Sequence, residues 1–126
     1  LADGWYEWQV TEGGKQPWFI RLENARPLAF AGLWERWKDP ANGTTLESCA
    51  IVTTDAAAPI RKIHDRMPVV LPESGWDRWL DPAFSDTGML SELLRPFDAA
   101  PLDAWTVSRQ VNAPKNQGPQ LIARAD

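Results

Sequence analysis

Apolar and polar positions alternate over residues 5–10. Tyr6, Trp8 and Val10 fall on one face of an extended strand, and Trp5, Glu7 and Gln9 fall on the other. Glu12-Gly13-Gly14-Lys15 is a turn signal, so a hairpin follows. Its second strand is predicted over about residues 16–22, with Trp18, Ile20 and Leu22 on one face. Pro17 there suggests a strand end or an edge, because proline cannot donate to a ladder. Asn24-Ala25-Arg26-Pro27 turns the chain again. A third strand is expected over 28–37, with Phe30 and Trp34 inward and Gly32 between them. Asp39-Pro40 and Asn42-Gly43 mark a loop, and a fourth strand is expected over 45–54.

The pattern then changes. Residues 55–63 read as a short helix or turn with Pro59 near its first turn, and 68–71 as a short extended run. Residues 72–80 read as a helix, with Trp76, Trp79 and Leu80 at helical spacing. Asp86 begins another, carrying Met89, Leu90, Leu93 and Leu94. Strand returns over 105–111, and 112–118 is a polar loop. Strands first, then helices, then a returning strand predict an α+β fold with a mainly antiparallel sheet.

The chain has 126 residues, the size of one domain or part of one. Eight tryptophans provide ample buried area. Apart from the aromatics discussed below, the tryptophans are read as core. No apolar run reaches the roughly 20 residues of a membrane span. The single cysteine, Cys49, cannot close an internal disulfide, and one cysteine with one histidine makes no structural zinc site. No metal or cofactor is expected, and a reducing cytoplasmic setting is the default. The formal charge of −4 argues against nucleic-acid binding by bulk electrostatics. A local cationic groove remains compatible with it, because salt screens distant carboxylates. Most of the thirteen basic residues are arginine, the type suited to forked phosphate contacts.

His64, the only histidine, lies in Ile63-His64-Asp65-Arg66-Met67-Pro68. Its unperturbed pKa near neutrality invites a proton-transfer role. A lone histidine beside an apolar run is more often a hydrogen-bonded structural residue. Glu7, on alternation alone, reads as a carboxylate on a solvent-facing strand surface.

Several segments in order resemble the SRAP family, the SOS response-associated peptidase-like proteins that shield abasic sites in DNA. They are Gly4-Trp5-Tyr6-Glu7-Trp8, Phe30-Ala31-Gly32-Leu33-Trp34, Ile51-Val52-Thr53-Thr54 and the His64 segment. Val107-Ser108 and the stretch 112–122 are also similar to the family's C-terminal end. The resemblance implies a curved, barrel-like β-structure flanked by helices. It further implies covalent capture of abasic single-stranded DNA: an N-terminal cysteine, exposed by removal of the initiator methionine, closes a thiazolidine on the ring-opened sugar aldehyde. The family's first portion, with that cysteine, an orienting asparagine and a phosphate-contacting arginine, has no counterpart in these residues. Residues 1–126 are therefore expected to be the C-terminal major portion of a single SRAP-like domain, incomplete at the N-terminus and inactive by itself.

Residue by residue, the resemblance makes Glu7 and His64 catalytic and gives Arg66 a phosphate contact. Thr53 matches a position near the DNA groove, and Trp8 an aromatic of the motif. Each keeps a competing reading. Arg66 suits a surface salt bridge, and Thr53 suits a strand by propensity alone. Alternation sets Trp8 away from Glu7, so Trp5 is the better-placed aromatic. The implied partners are single-stranded DNA containing abasic sites and the replication machinery, in a nucleoid-associated cytoplasmic setting. Two other readings stand beside this one: a non-catalytic single-stranded DNA-binding module, and a hydrolase or peptidase using Glu7 and His64. The first reading requires Glu7 and His64 to converge within about 10 Å, a loose bound on shared work through substrate or water.

Overall fold

The computed structural model describes residues 1–98 and 101–125. Among them the strands are β1 (Trp5–Thr11), β2 (Gly14–Leu22), β3 (Gly32–Lys38), β4 (Thr45–Ile51), β5 (Thr53–Asp55), β6 (Arg66–Pro68) and β7 (Leu102–Thr106). Two short helices, α1 (Trp76–Leu80) and α2 (Thr87–Ser91), lie between β6 and β7. The strands form a three-stranded sheet in the order β1-β2-β7 and two two-stranded sheets, β3-β4 and β5-β6, every pair antiparallel. This is the α+β, mainly antiparallel architecture the sequence predicts. Isolated bridges occur outside these strands (Ala2 to Leu28, Phe30 to Val70, Val107 to Arg124), and the sheets do not close into a barrel, although they are compatible with a barrel-like parent fold.

The β1-β2 hairpin sets the register of everything else. Gly14 adopts a positive φ of 98°, a conformation open to glycine, and so starts β2 two residues earlier than the pattern suggests. Trp5, Glu7 and Gln9 stand opposite Ile20, Trp18 and Gln16 on one face. Tyr6 and Trp8 stand opposite Phe19 and Pro17 on the other. The first face holds the larger core, in which Trp5, Ile20, Leu28, Ala56, Ile60, Ile63, Met67 and Val70 pack together. The second holds Phe19, Trp105 and Val107, with Tyr6 against them.

Pro17 departs from expectation. It is buried in β2, the central strand of its sheet, and not at an edge. The β2-β7 ladder begins one residue later, at Trp18 opposite Thr106. The Pro17 carbonyl still accepts from the Val107 N–H at 3.1 Å. The donor that proline lacks is replaced by the Gln16 side-chain amide, which donates to the Val107 carbonyl at 3.1 Å.

Other boundaries move for tertiary reasons. The expected 28–37 strand splits: Leu28 and Phe30 make single bridges, and the regular strand begins at Gly32. Phe30 packs on the core, but Trp34 points out and is 72% exposed, because β3 pairs only with β4 and both leave the core. Trp37 is exposed for the same reason, so the tryptophans do not all serve as core. Trp5 and Trp105 are buried, and Trp18, Trp76 and Trp79 are half-buried. The 45–54 strand breaks at Val52, whose N–H and C=O turn to Ala31 and Val69. Of residues 55–63, Asp55 ends β5 and 58–63 form successive turns and no helix. The 72–80 helix begins as a 3-10 turn over Glu73–Gly75 before α1. Asp86 caps α2, accepting from the Met89 N–H at 3.0 Å. The returning strand is Leu102–Thr106 and not 105–111. Ser108 caps a 3-10 turn over Arg109–Asn112, which removes those residues from the ladder.

Gly4 matters for space. A Cβ there would collide with the Ile20 carbonyl oxygen and the Phe19 ring, which fix where Trp5 enters the core. Gly4→Ala should therefore destabilise the fold by about 1–3 kcal/mol, as overpacking does. Chemical denaturation of the variant against the parent checks this, and an unchanged midpoint would show that the hairpin can shift to accommodate the methyl group.

Candidate active site

Alternation along β1 brings three polar or amphipathic groups to the core-side face beside the loop between β5 and β6. Trp5 is 8% exposed and packs edge-on against Phe30 with ring centres 5.9 Å apart. Its indole N–H donates to Glu7 Oε1 at 3.2 Å. The Glu7 side chain is only 16% exposed. Burial raises its pKa above the ordinary glutamate range; His64 and the Trp5 N–H pull it back down, while Asp65 adds to the rise. Glu7 is thus a carboxyl held among aromatic rings, not the solvated carboxylate that alternation alone suggests.

His64 comes from the turns joining β5 to β6. Ile60 and Ile63 pin those turns into the core, and the His64 N–H bonds back to the Ile60 carbonyl at 3.1 Å. The Ala56 N–H closes the loop neck on the Asp65 carbonyl at 2.8 Å. The ring Nδ1 lies 3.1 Å from both the N–H and the carbonyl of Arg66, so one of the two is its partner according to tautomer. The same atom lies 3.3 Å from Asp65 Oδ1 and 4.0 Å from Glu7 Oε2. At 4.0 Å the carboxyl and imidazole are too far apart for a direct hydrogen bond and close enough to act on one intervening group.

Arg66 opens β6 two residues later. Its guanidinium donates to Asp55 Oδ1 at 3.1 Å, to the Thr53 carbonyl at 2.8 Å and to Thr53 Oγ1 at 3.0 Å. The fork is thus laid across the β5-β6 ladder by the pairings of Asp55 with Arg66 and Thr53 with Pro68. The side chain remains about half exposed. An exposed pair of this kind contributes little to stability, so an anionic ligand competes for the fork at small cost. Trp8 stands apart on the opposite face of β1, tilted against Tyr6, with its N–H donating to Asn112 Oδ1 at 2.7 Å.

The structure therefore brings Glu7 to His64 and Thr53 to Arg66, and leaves Trp8 on the other side of the strand. It adds Trp5 as the direct partner of Glu7, a role that the i, i+2 spacing makes legible. It also adds Gln9, which the same spacing places on this face without saying why. Gln9 Nε2 donates to the Lys62 carbonyl at 2.8 Å, and Trp18 Nε1 donates to Gln9 Oε1 at 3.1 Å. Among the described residues no cluster of three or more metal-ligating side chains occurs, and no helix is long and apolar enough to cross a membrane.

Comparison with known proteins gives this geometry a family context. The chain is 43% identical over 122 residues to the abasic site processing protein YoqW of Bacillus subtilis, covering 96% of this chain and 54% of that protein. It is 34% identical to the abasic site processing protein HMCES of Gallus gallus, covering 97% of this chain and 41% of that one. A crystal structure of a Bacteroides thetaiotaomicron protein superposes with a TM-score of 0.81 at 30% identity, covering 98% of this chain and 54% of that one. The chain thus spans about half the length of the curated relatives it matches. The profile of the SOS response associated peptidase (SRAP) family matches residues 1–114, which take in both the Glu7 strand and the His64 loop, and the chain belongs to that family.

Proposed function

We propose that this chain is the larger part of an abasic-site processing domain, in which Glu7 and His64 carry proton transfers at the sugar of an abasic site in single-stranded DNA. The observation that carries the reading is the convergence of a largely shielded carboxyl and the only imidazole to 4.0 Å. A non-catalytic DNA-binding role gives no reason to desolvate a carboxyl against tryptophan at that position.

The chemistry has four proton-dependent steps. The closed sugar hemiacetal opens to an aldehyde at C1′, with one proton removed from the hydroxyl and one returned to the ring oxygen. An α-amine adds to C1′ and gives a carbinolamine. Protonation of its hydroxyl expels water and leaves an imine. A thiolate on the same amino-acid skeleton adds to the imine carbon and closes the thiazolidine, so the sum is amine, thiol and aldehyde giving ring plus one water. Glu7, with its raised pKa, is suited to protonate the departing hydroxyl, and His64 to exchange the proton during ring opening. Arg66 and Thr53 would take a phosphate near the lesion, with the guanidinium fork exchanging Asp55 for phosphate oxygens.

The nucleophile lies outside residues 1–126 in this reading. Cys49 is an internal residue of β4 with no free α-amine, and ring closure needs amine and thiol on one residue. Autoproteolytic removal of an initiator methionine would uncover that cysteine. Residues 1–126 alone should give no crosslink. The cellular setting that fits is the cytoplasm, at the nucleoid beside the replication machinery.

In the intact protein, Glu7→Gln should slow crosslinking to abasic single-stranded DNA by about 100-fold or more, the usual contribution of a positioned acid or base. Gel-resolved crosslinking time courses read this, and a parental rate in the variant would remove Glu7 from the chemistry. The same variant carries a stability signature. A carboxyl whose pKa is raised by folding contributes stability below its unfolded pKa, and that contribution is lost as pH rises through the folded value. Glu7→Gln should therefore raise Tm at pH 7, with the gain vanishing well below the unfolded glutamate pKa of about 4.3, where the carboxyl is protonated in both states. A gain that grows on acidification would contradict the raised pKa. Arg66→Ala should weaken binding across DNA sequences alike and reduce the slope of log K against log salt by about 0.7, one phosphate on a single strand. Fluorescence anisotropy over a salt series measures it, and an unaltered slope would mean that Arg66 serves only Asp55.

A further inference from the structure

Gln9 forms the one hydrogen bond that joins β1 to the His64 loop among the described residues. It lies two residues beyond Glu7 on the same strand face, and the carbonyl it reaches, that of Lys62, lies two residues before His64. The two short chain segments, the amide link and the carboxyl–imidazole gap make a closed quadrilateral. With three sides set by backbone and one hydrogen bond, the fourth has little freedom.

We propose that Gln9, clamped by Trp18, is a positioning residue that holds the His64 loop at its working distance from Glu7. The proposal rests on the reading of Glu7 and His64 as the reacting pair. An indole N–H only donates and a backbone carbonyl only accepts, so the Gln9 oxygen must face Trp18 and its nitrogen must face Lys62. Few side chains can do both at this reach. Glutamate lacks the donor, asparagine is one methylene short, and methionine fills the volume with neither group. Trp18 is itself fixed, since it lies opposite Glu7 in the hairpin and packs against the core. The opposing side chain, Gln16, cannot substitute, because its amide nitrogen is committed to the Pro17 and Val107 carbonyls. The remaining ties of the loop run to its own backbone, to Met67 Sδ through the Ala57 N–H, and to the core through Ala56, Ile60 and Ile63; none of them is a hydrogen bond to β1.

The test uses Gln9→Met and Trp18→Phe in the intact protein. The first removes both hydrogen bonds at nearly constant volume, and the second removes only the clamp. The first reading is the crosslinking rate on abasic single-stranded DNA. The second, independent of any reaction, is the Glu7 carboxyl titration followed by carbon chemical shift. The charged groups acting on Glu7 are His64, which lowers its pKa, and Asp65, which raises it. Burial is the larger influence and also raises it, so a loop that swings away and admits water should let the Glu7 midpoint fall toward the ordinary glutamate value. Gln9→Met is expected to retain the parental amide spectrum, lower the Glu7 midpoint and slow crosslinking by about 10-fold or more, the scale of a sub-ångström to ångström misplacement. Affinity for intact single-stranded DNA should stay within about two-fold, since a positioning loss falls on the reaction and not on ground-state binding. Trp18→Phe should move both readings the same way by less, and the double variant should not exceed Gln9→Met. A parental rate with an unmoved Glu7 midpoint in Gln9→Met overturns the proposal. If Gln9→Met fails to fold, Trp18→Phe decides by the same two readings. Should the parent form no crosslink, the proposed function fails, while the titration still decides whether Gln9 sets the pair.

Discussion

The antiparallel register of the β1-β2 hairpin is the constraint on which the site depends. Because side chains alternate, one register puts Trp5, Glu7 and Gln9 on the same side, and a slip of one residue would turn all three away. That register is held from both faces. Trp5 locks against Ile20 and Phe30 on one, and Phe19 against Trp105 and Tyr6 on the other. Gly4 admits the close approach of the Ile20 carbonyl and Phe19 ring from which the strand starts. A motif that reads as catalytic is therefore equally a packing motif, with its glycine and first tryptophan seating the strand and its glutamate using the position so made.

The second requirement is a loop held firmly at a distance from its own strand neighbours. Residues between β5 and β6 have no regular structure, yet Ala56, Ile60 and Ile63 are buried in the same cluster as Trp5. Burial of three apolar side chains offsets part of the entropy of ordering an irregular segment. His64 then lies at the rim of that cluster, polar on a core-anchored loop, opposite a carboxyl on a core-anchored strand. Shared hydrophobic anchoring brings the carboxyl and the imidazole together, and it also desolvates Glu7. Packing and acid–base character thus have one cause.

Much of this was legible from residue pattern. The hairpin, the loop after residue 38, the start of α2 at Asp86 and the α+β class follow from alternation, turn residues and a capping carboxylate, all local effects. The misjudged elements share a different cause. Trp34 is in phase with Phe30 and Trp37 falls on the opposite face, but β3 and β4 pair only with each other and expose both, and nothing in residues 32–51 announces that. Pro17 sits in a central strand because a glutamine next to it supplies the missing donor, a compensation that no proline rule anticipates. The returning strand ends early because Ser108 offers its hydroxyl to a turn.

The sequence by itself determined the identities that chemistry needs: one imidazole, one carboxyl in an aromatic motif, one arginine fork, and a single internal cysteine unable to provide both amine and thiol. It also determined which residues share Glu7's face, since alternation is a property of the extended backbone. Only the tertiary structure decided that Glu7 is largely shielded from water, that His64 comes within 4.0 Å of it, and that Gln9 bridges the two segments. Those outcomes depend on how a core made from distant segments draws a strand and a loop together, and such long-range packing leaves no periodic trace along the chain.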